Sequence, residues 1–395
     1  MKAGIRQRGI YIMQQRNKSN KKFMVLSAIG IFMVVDHHTF TALNLFGDYI
    51  PYNSFFMPMF VFISGYFNKV DTSTRFLPYI GKKIRTLLLP FAGLSVFVFI
   101  MQQLMTAFKG GEMTAYGAWY ISYVLQRIIT VGPFAAIAEP TWFVITLFSV
   151  LLIYAVLKKF LYKIWNSYVM LVIFCALHLF AVYFAKTALP YSSEYLLLPL
   201  KVIFFLPFIE MGIIYRDHLE EKHSALPGGG KIALLFILLF INMIRTLYLP
   251  IPYDLAFDSI DELSGFTSPY IVTPLLSSAV GILFWLTLVD LIGKLVYESR
   301  FVNFMSCNTF WIMGLHITFF NILNCILLVI NDHIAALPYF DAEYFRESEW
   351  YYWELSADFK LAYVIIGILG PLALKWIFDR LCALVARSLL KKPAA

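Results

Sequence analysis

A carboxylate and two imidazoles stand in a row, Asp36-His37-His38, near the far end of an apolar run that begins at Phe23. Imidazole titrates closest to neutrality, so a histidine there can take a proton from a hydroxyl and hand it on. An Asp at the centre of a membrane helix costs about 2.5–3.5 kcal/mol on insertion scales, so such groups persist where something uses them. At about 100° per residue the three side chains fan over roughly 200° of the helix. No lipid-facing stripe survives at that level, which places the helix inside a bundle. Ser27, Ile31, Val34, His38 and Thr41 share one face. Asp36 points nearly opposite His38, so each must find partners on other helices.

Three more polar residues reach a comparable depth in later apolar segments: Asn242 and Arg245 in the seventh, and His316 in the ninth. Each alone has a structural explanation, as a salt bridge or a hydrogen-bonded core histidine. Five ionisable groups at one level (Asp36, His37, His38, Arg245, His316) look instead like a buried polar site with a function. Arg245 is expected to pair with Asp36 across the bundle, leaving His37 or His316 to line the cavity with His38. It is also the candidate cation for a developing oxyanion. No metal is expected: adjacent histidines diverge by about 100°, unlike the i,i+4 pair that grips zinc.

A second group is basic: Lys69, Arg75, Lys82, Lys83 and Arg85. Flanking charge at a membrane surface accounts for several of them. Lys82-Lys83-Ile84-Arg85 is expected at a helix start, where side chains and free backbone N–H groups together bind phosphate. A nucleotide-bearing donor such as acyl-coenzyme A fits Arg75, Lys82, Lys83 and Arg85. A third group is aromatic and acidic, around Trp350 and Trp353. Sugars stack on aromatic faces and donate to carboxylates, so these residues, with Glu139 and Trp142, are the expected acceptor contacts. An aromatic belt at the membrane surface is the competing reading of the same tryptophans.

The elements that must position these groups are membrane helices. The 395 residues are 60% hydrophobic and only 14% charged, with a mean hydropathy of +0.72; a soluble chain carries nearer a quarter charged. The fold class expected is all-α, a polytopic bundle of about ten spans. They fall at roughly 23–44, 53–68, 86–107, 141–161, 168–186, 195–214, 231–249, 271–293, 304–330 and 359–381. Residues 1–22 form a basic N-terminal segment, 23–381 the membrane domain and 382–395 a C-terminal tail. The basic start runs straight into a full-length apolar stretch, so no cleavable signal is expected. Ala115–Val131 has the aromatic, amphipathic character of an interfacial or re-entrant helix. Most of the 32 Lys and Arg lie in alternate loops and at both ends. That bias puts both termini in the cytoplasm of a multi-pass cell-membrane protein. The same bias explains the net charge of +8 without nucleic acid. Cys175, Cys307, Cys325 and Cys382 sit singly in apolar segments, as buried small hydrophobes rather than a disulfide framework.

The run Met57–Phe67 (MPMFVFISGYF) resembles the second-helix signature of the acyltransferase-3 family of integral-membrane acyltransferases. Ile29–His38, Lys82–Phe91 (KKIRTLLLPF), Thr141-Trp142-Phe143 and Asn308–His316 resemble further motifs of that family in the same order. The resemblance covers about residues 23 to 380. It implies about ten helices, no permanently bound cofactor, a cytoplasmic acyl-CoA (acetyl-CoA) donor, and O-acylation of a sugar or lipid-linked glycan hydroxyl. The family histidine at the end of helix one corresponds to His38. Many members carry Arg or Lys eleven residues before it; this chain has Ser27, and Lys21 and Lys22 lie at the wrong helical phase to replace it.

Thioester-to-hydroxyl transfer needs a base near neutrality and donors for the oxyanion, which these residues offer. Direct transfer with His38 as base is the expected route; an acyl-histidine or acyl-serine relay through Ser64 is the alternative. Ser64-Gly65 is read first as a close contact between helices. The rival from another class is a transporter or flippase with a buried Asp/His proton relay; a third is a glycan-binding protein without catalysis. Oligomeric state is not legible.

Overall fold

A computed structural model describes residues 21–39, 43, 46–112, 123–124, 126–128, 136–187, 193–248, 271–337, 340–348 and 360–390. Their regular structure is entirely helical. In chain order the helices are α1 (21–37), α2 (Phe56–Tyr66), α3 (Phe76–Phe108), α4 (Trp142–Leu161), α5 (Ser167–Thr187) and α6 (Leu197–Ala225). There follow α7 (Gly228–Tyr248), α8 (Thr273–Ile292), α9 (Arg300–Cys307), α10 (Thr309–His333), α11 (Ala342–Glu347) and α12 (Lys360–Leu390). Eight helices, α3–α8, α10 and α12, are long and apolar enough to cross a membrane, so the chain is a multi-pass membrane protein. The other two expected spans, α1 and α2, do not reach that length among the described residues.

Several boundaries differ from expectation, each for a local reason. The first helix stops at residue 37 instead of 44, because Asp36 and Thr39 take over the hydrogen bonds that would continue it. The third begins at Phe76 instead of 86, and widens into a π turn over Ile84–Leu88. Pro90 follows that turn and has no N–H for the preceding carbonyls, a usual setting for a widened turn. The ninth span starts at Thr309, because the separate short helix α9 precedes it, capped by the Ser299 hydroxyl.

The core lies where α2 crosses α6. A Cβ on Gly65 would overlap the Ile209 carbonyl, and one on Gly212 would overlap the Phe62 carbonyl. The two glycines therefore bring the backbones into direct contact, which is how membrane helices gain packing when lipid supplies no hydrophobic drive. Ser64-Gly65 thus belongs to a helix crossing. α5 and α4 pack on α6, α8 on α2, α7 on α8, and α10 on α12 and α3. Large apolar side chains of α3, α5, α7 and α12 (Phe97, Phe180, Phe236, Trp376) face outward. α1 is held within the bundle, with Leu26, Ile31 and Val35 inaccessible. That agrees with the buried carboxylate of Asp36 at its end.

The cysteines depart from expectation: Cys307 and Cys382 are exposed and Cys175 and Cys325 half-buried. A lipid-facing surface tolerates an apolar thiol as well as a core does. The segments Tyr253–Tyr270 and Trp350–Trp353 and most of Ala115–Val131 lie outside the described residues.

Candidate functional site

The end of α1 is built by its own polar groups. The Thr39 N–H bonds the Asp36 carbonyl at 3.1 Å, and the Thr39 hydroxyl donates to the same oxygen at 2.6 Å. The Leu43 N–H bonds the Asp36 carboxylate at 2.6 Å. These bonds replace the next turn of helix. His37 is left exposed and His38 half-buried at the break, while Asp36 is fully buried.

His38 meets His316, the fully buried histidine of α10, with ring centroids 5.0 Å apart. His38 Nδ1 lies 2.7 Å from the Val34 carbonyl, and His316 Nδ1 lies 3.0 Å from the Ile312 carbonyl. A carbonyl only accepts, so each Nδ1 carries the proton and each Nε2 the lone pair. Backbone carbonyls thus set both tautomers as base-competent, and His316 Nε2 has no hydrogen-bond partner among the described residues. His37 stands aside, its ring 5.6 Å from His38 and 5.6 Å from Phe56.

Asp36 turns away from His38, as helical phase requires, but its partner is not Arg245. Its carboxylate pairs with Lys360 Nζ at 3.2 Å, at the first residue of α12. Arg245 is also buried, yet its Nε faces Asn242 Oδ1 at 3.3 Å and one terminal nitrogen donates to Thr246 at 2.8 Å. The expected Asp36–Arg245 pair is therefore not formed. α7, which carries Arg245, packs on α8 and on the turn Gly47–Tyr49. Shared depth does not decide which helices are neighbours.

An open groove of about 390 Å³ runs along one exposed face of the first turns of α3, lined by Pro78, Gly81, Lys82, Arg85 and Thr86. Lys82 and Arg85, three apart, converge on it. Lys83 instead lies over the Tyr79 ring at 5.4 Å, and Arg75 is exposed at the N-cap of α3. Because the helix begins at Phe76, Lys82–Arg85 are not at a helix start. The Ile84 N–H is already bonded within the helix, so side chains, not free N–H groups, supply the positive charge. The preceding loop is ordered by Asp71, whose carboxylate accepts from the Ser73 and Thr74 hydroxyls. Those bonds hold its pKa below the usual value.

Residues 23–378 match the family described as the acyltransferase domain, the acyltransferase-3 group. The chain belongs to this family. Comparison with curated proteins and with solved structures returns no match. The match spans nearly the whole membrane domain and takes in both histidines and the basic groove, so the molecule is a membrane acyltransferase.

In this acyltransferase the turn Ala136–Thr141, which carries Glu139, packs on α10. The Thr141 methyl lies over Gly314, two residues before His316. Trp142 is buried against Phe205 and Phe143, and its ring carries the Lys201 ammonium 4.3 Å from the centroid. Trp350 and Trp353 lie outside the described residues. Sequence reasoning missed Lys201 and Lys360; the available signal was a lysine inside a span, and one beside an acidic loop where charge bias leaves few cations.

The departure at Ser27 is not repaired by its neighbours. Lys21 pairs with Glu298 at the surface. Lys22 is buried and reaches Tyr215 Oη at 3.0 Å and Glu220 at 3.3 Å. The Tyr66 hydroxyl donates to Glu220 at 2.6 Å, and Tyr215 meets His223 Nδ1 at 2.8 Å. Lys22 thus joins α1, α2 and α6 at the basic end of this acyltransferase, far along the helix from His38. Its charge is compensated there, as a buried cation requires.

Proposed function

We propose that this protein is an O-acyltransferase of the cell membrane. It moves an acyl group, acetyl by preference, from cytoplasmic acyl-CoA to a hydroxyl of a sugar or lipid-linked glycan. The observation that carries the reading is the His38–His316 pair, two interior imidazoles with their Nδ1 atoms on carbonyls, in a chain of the acyltransferase family. The nucleotide of the donor rests on Lys82 and Arg85, with the basic end and both termini in the cytoplasm. By the 1.5 Å rise per residue, Leu94, which touches Gly314, is about 14 Å along α3 from Arg85. A donor with its phosphates at one end of a flexible arm spans that interval and presents its thioester beside the histidines.

His38 Nε2 takes the hydroxyl proton as the oxygen attacks the thioester carbonyl. The tetrahedral intermediate collapses with loss of the thiolate, which takes the proton from the imidazolium, giving ester and free CoA. His316, its ring centroid 5.0 Å from that of His38, lies beside the imidazolium while it holds the proton.

The test uses purified protein with labelled acetyl-CoA. Slow hydrolysis that accelerates when a glycan acceptor is added supports the reading; no turnover of acetyl-CoA with or without acceptor rejects it. The donor site has its own signature. Replacing Lys82 and Arg85 together should raise KM for acetyl-CoA far more than it lowers kcat, because these groups grip phosphate equally in ground and transition states. Binding should weaken as salt rises, since the groove opens to water. Lys83→Ala should change little, its ammonium being turned onto Tyr79. Normal acetyl-CoA binding by the double variant would reduce the basic residues to a topology signal.

A further inference from the structure

We infer that Lys360 is a positioning residue for His38, acting through the two chain positions that flank it; this rests on the reading of His38 as the base. One ammonium makes both contacts. Lys360 Nζ is 3.2 Å from the Asp36 carboxylate and donates to the Thr39 hydroxyl at 2.8 Å. His38 lies between those residues. Thr39 passes the bond on, since its hydroxyl donates to the Asp36 carbonyl. The backbone carrying His38 is thus closed into a loop pinned at both ends by a single cation.

The same face of α12 holds the other half of the pair. The Tyr363 hydroxyl bonds Asn324 of α10. One turn further, a Cβ on Gly367 would press on Phe320 of α10 and on Val35 of α1. Gly367 is therefore the point where α1, α10 and α12 meet, and Phe320 in turn stands edge-on to His316. Lys360 lies two turns before Gly367 on that face, and ties the end of α1 to the helix against which α10 is packed. Neither contact reaches the imidazole itself. Lys360 sets the position of His38 relative to His316, and a displacement of about 1 Å at such a site costs on the order of 100-fold in rate.

The chemistry distinguishes this role from simple stability. Lys360→Met keeps the length of the side chain and removes the charge; Lys360→Arg keeps the charge and a donor for each flank. With acetyl-CoA as substrate, Lys360→Met should lose about 100-fold in kcat with KM unchanged, and Lys360→Arg should recover most of it. Independently of turnover, diethyl pyrocarbonate labelling of His38, read by mass spectrometry, should be faster in Lys360→Met than in the unaltered protein and restored in Lys360→Arg. Should Lys360→Met fail to fold, Thr39→Val removes one of the two flanking bonds and should show the same direction of labelling. Labelling of His38 at the unaltered rate in the folded variant overturns the inference. So does an equal loss of turnover in Lys360→Arg and Lys360→Met with labelling unchanged. An unaltered protein that turns over no acetyl-CoA would reject the functional reading instead, and the labelling would still decide the clamp.

Discussion

His38→Ala is expected to lower acyl transfer by about 10³-fold, within the range general bases contribute, while the protein still inserts and folds. The side chain is half-buried at a helix break, so its removal leaves no large core void. What is lost is the Nε2 lone pair that Val34 holds in register by fixing the proton on Nδ1. His37→Ala should cost much less, since His37 is exposed and turned toward Phe56. The check is acetyl transfer by purified variants, with thermal unfolding confirming equal stability. Near-normal turnover in His38→Ala together with loss in His37→Ala would exchange the two assignments. Loss in both, with normal folding, would make the adjacent pair a unit.

Gly212→Val is expected to abolish folded protein, and Gly65→Val to do the same. At both positions a side chain would collide with backbone of the opposing helix, not with a flexible side-chain end. Backbone cannot step aside without separating α2 from α6, and α4 and α5 are packed on α6. Overpacking a core costs about 1–3 kcal/mol where side chains can adjust; here the expected loss exceeds that range. Gly81→Ala and Gly228→Ala are the controls, because a Cβ there meets open space. Yield of monodisperse protein in detergent and its midpoint of thermal unfolding make the comparison. A well-folded Gly212→Val protein would show that the α2–α6 crossing is not the centre of the bundle.

Both predictions draw on residues legible in the chain, yet in different degrees. Gly65 is visible as part of a small-residue pair, but Gly212, its counterpart across the crossing, carries no mark until α2 and α6 are seen together. His38 is visible because three polar groups in succession cannot face lipid, and this also places α1 inside the bundle. Composition declares the membrane class, since too few charges remain to cover a soluble surface of this size. The order of short motifs, from Ile29–His38 to Asn308–His316, is enough for the family, which the match over residues 23–378 establishes.

Partner choice lay beyond the linear chain. Asp36 was bound to find a cation, and depth pointed to Arg245; the structure supplies Lys360, whose contact with neighbouring Thr39 is separated by 321 positions. Depth is a one-dimensional property that each span carries alone. Adjacency depends on how all the spans pack, and α12 lies against α10 and α1 whereas α7 lies against α8. The donor groove shows the same division. Lys82 and Arg85 were evident from charge and spacing, but only the folded helix shows that it begins at Phe76 and that Lys83 turns onto Tyr79. Residue type and helical phase determine what each side chain can do and which way it points. Which groups meet depends on contacts among helices distant in sequence, because each buried charge must be satisfied by whatever the packing brings within reach.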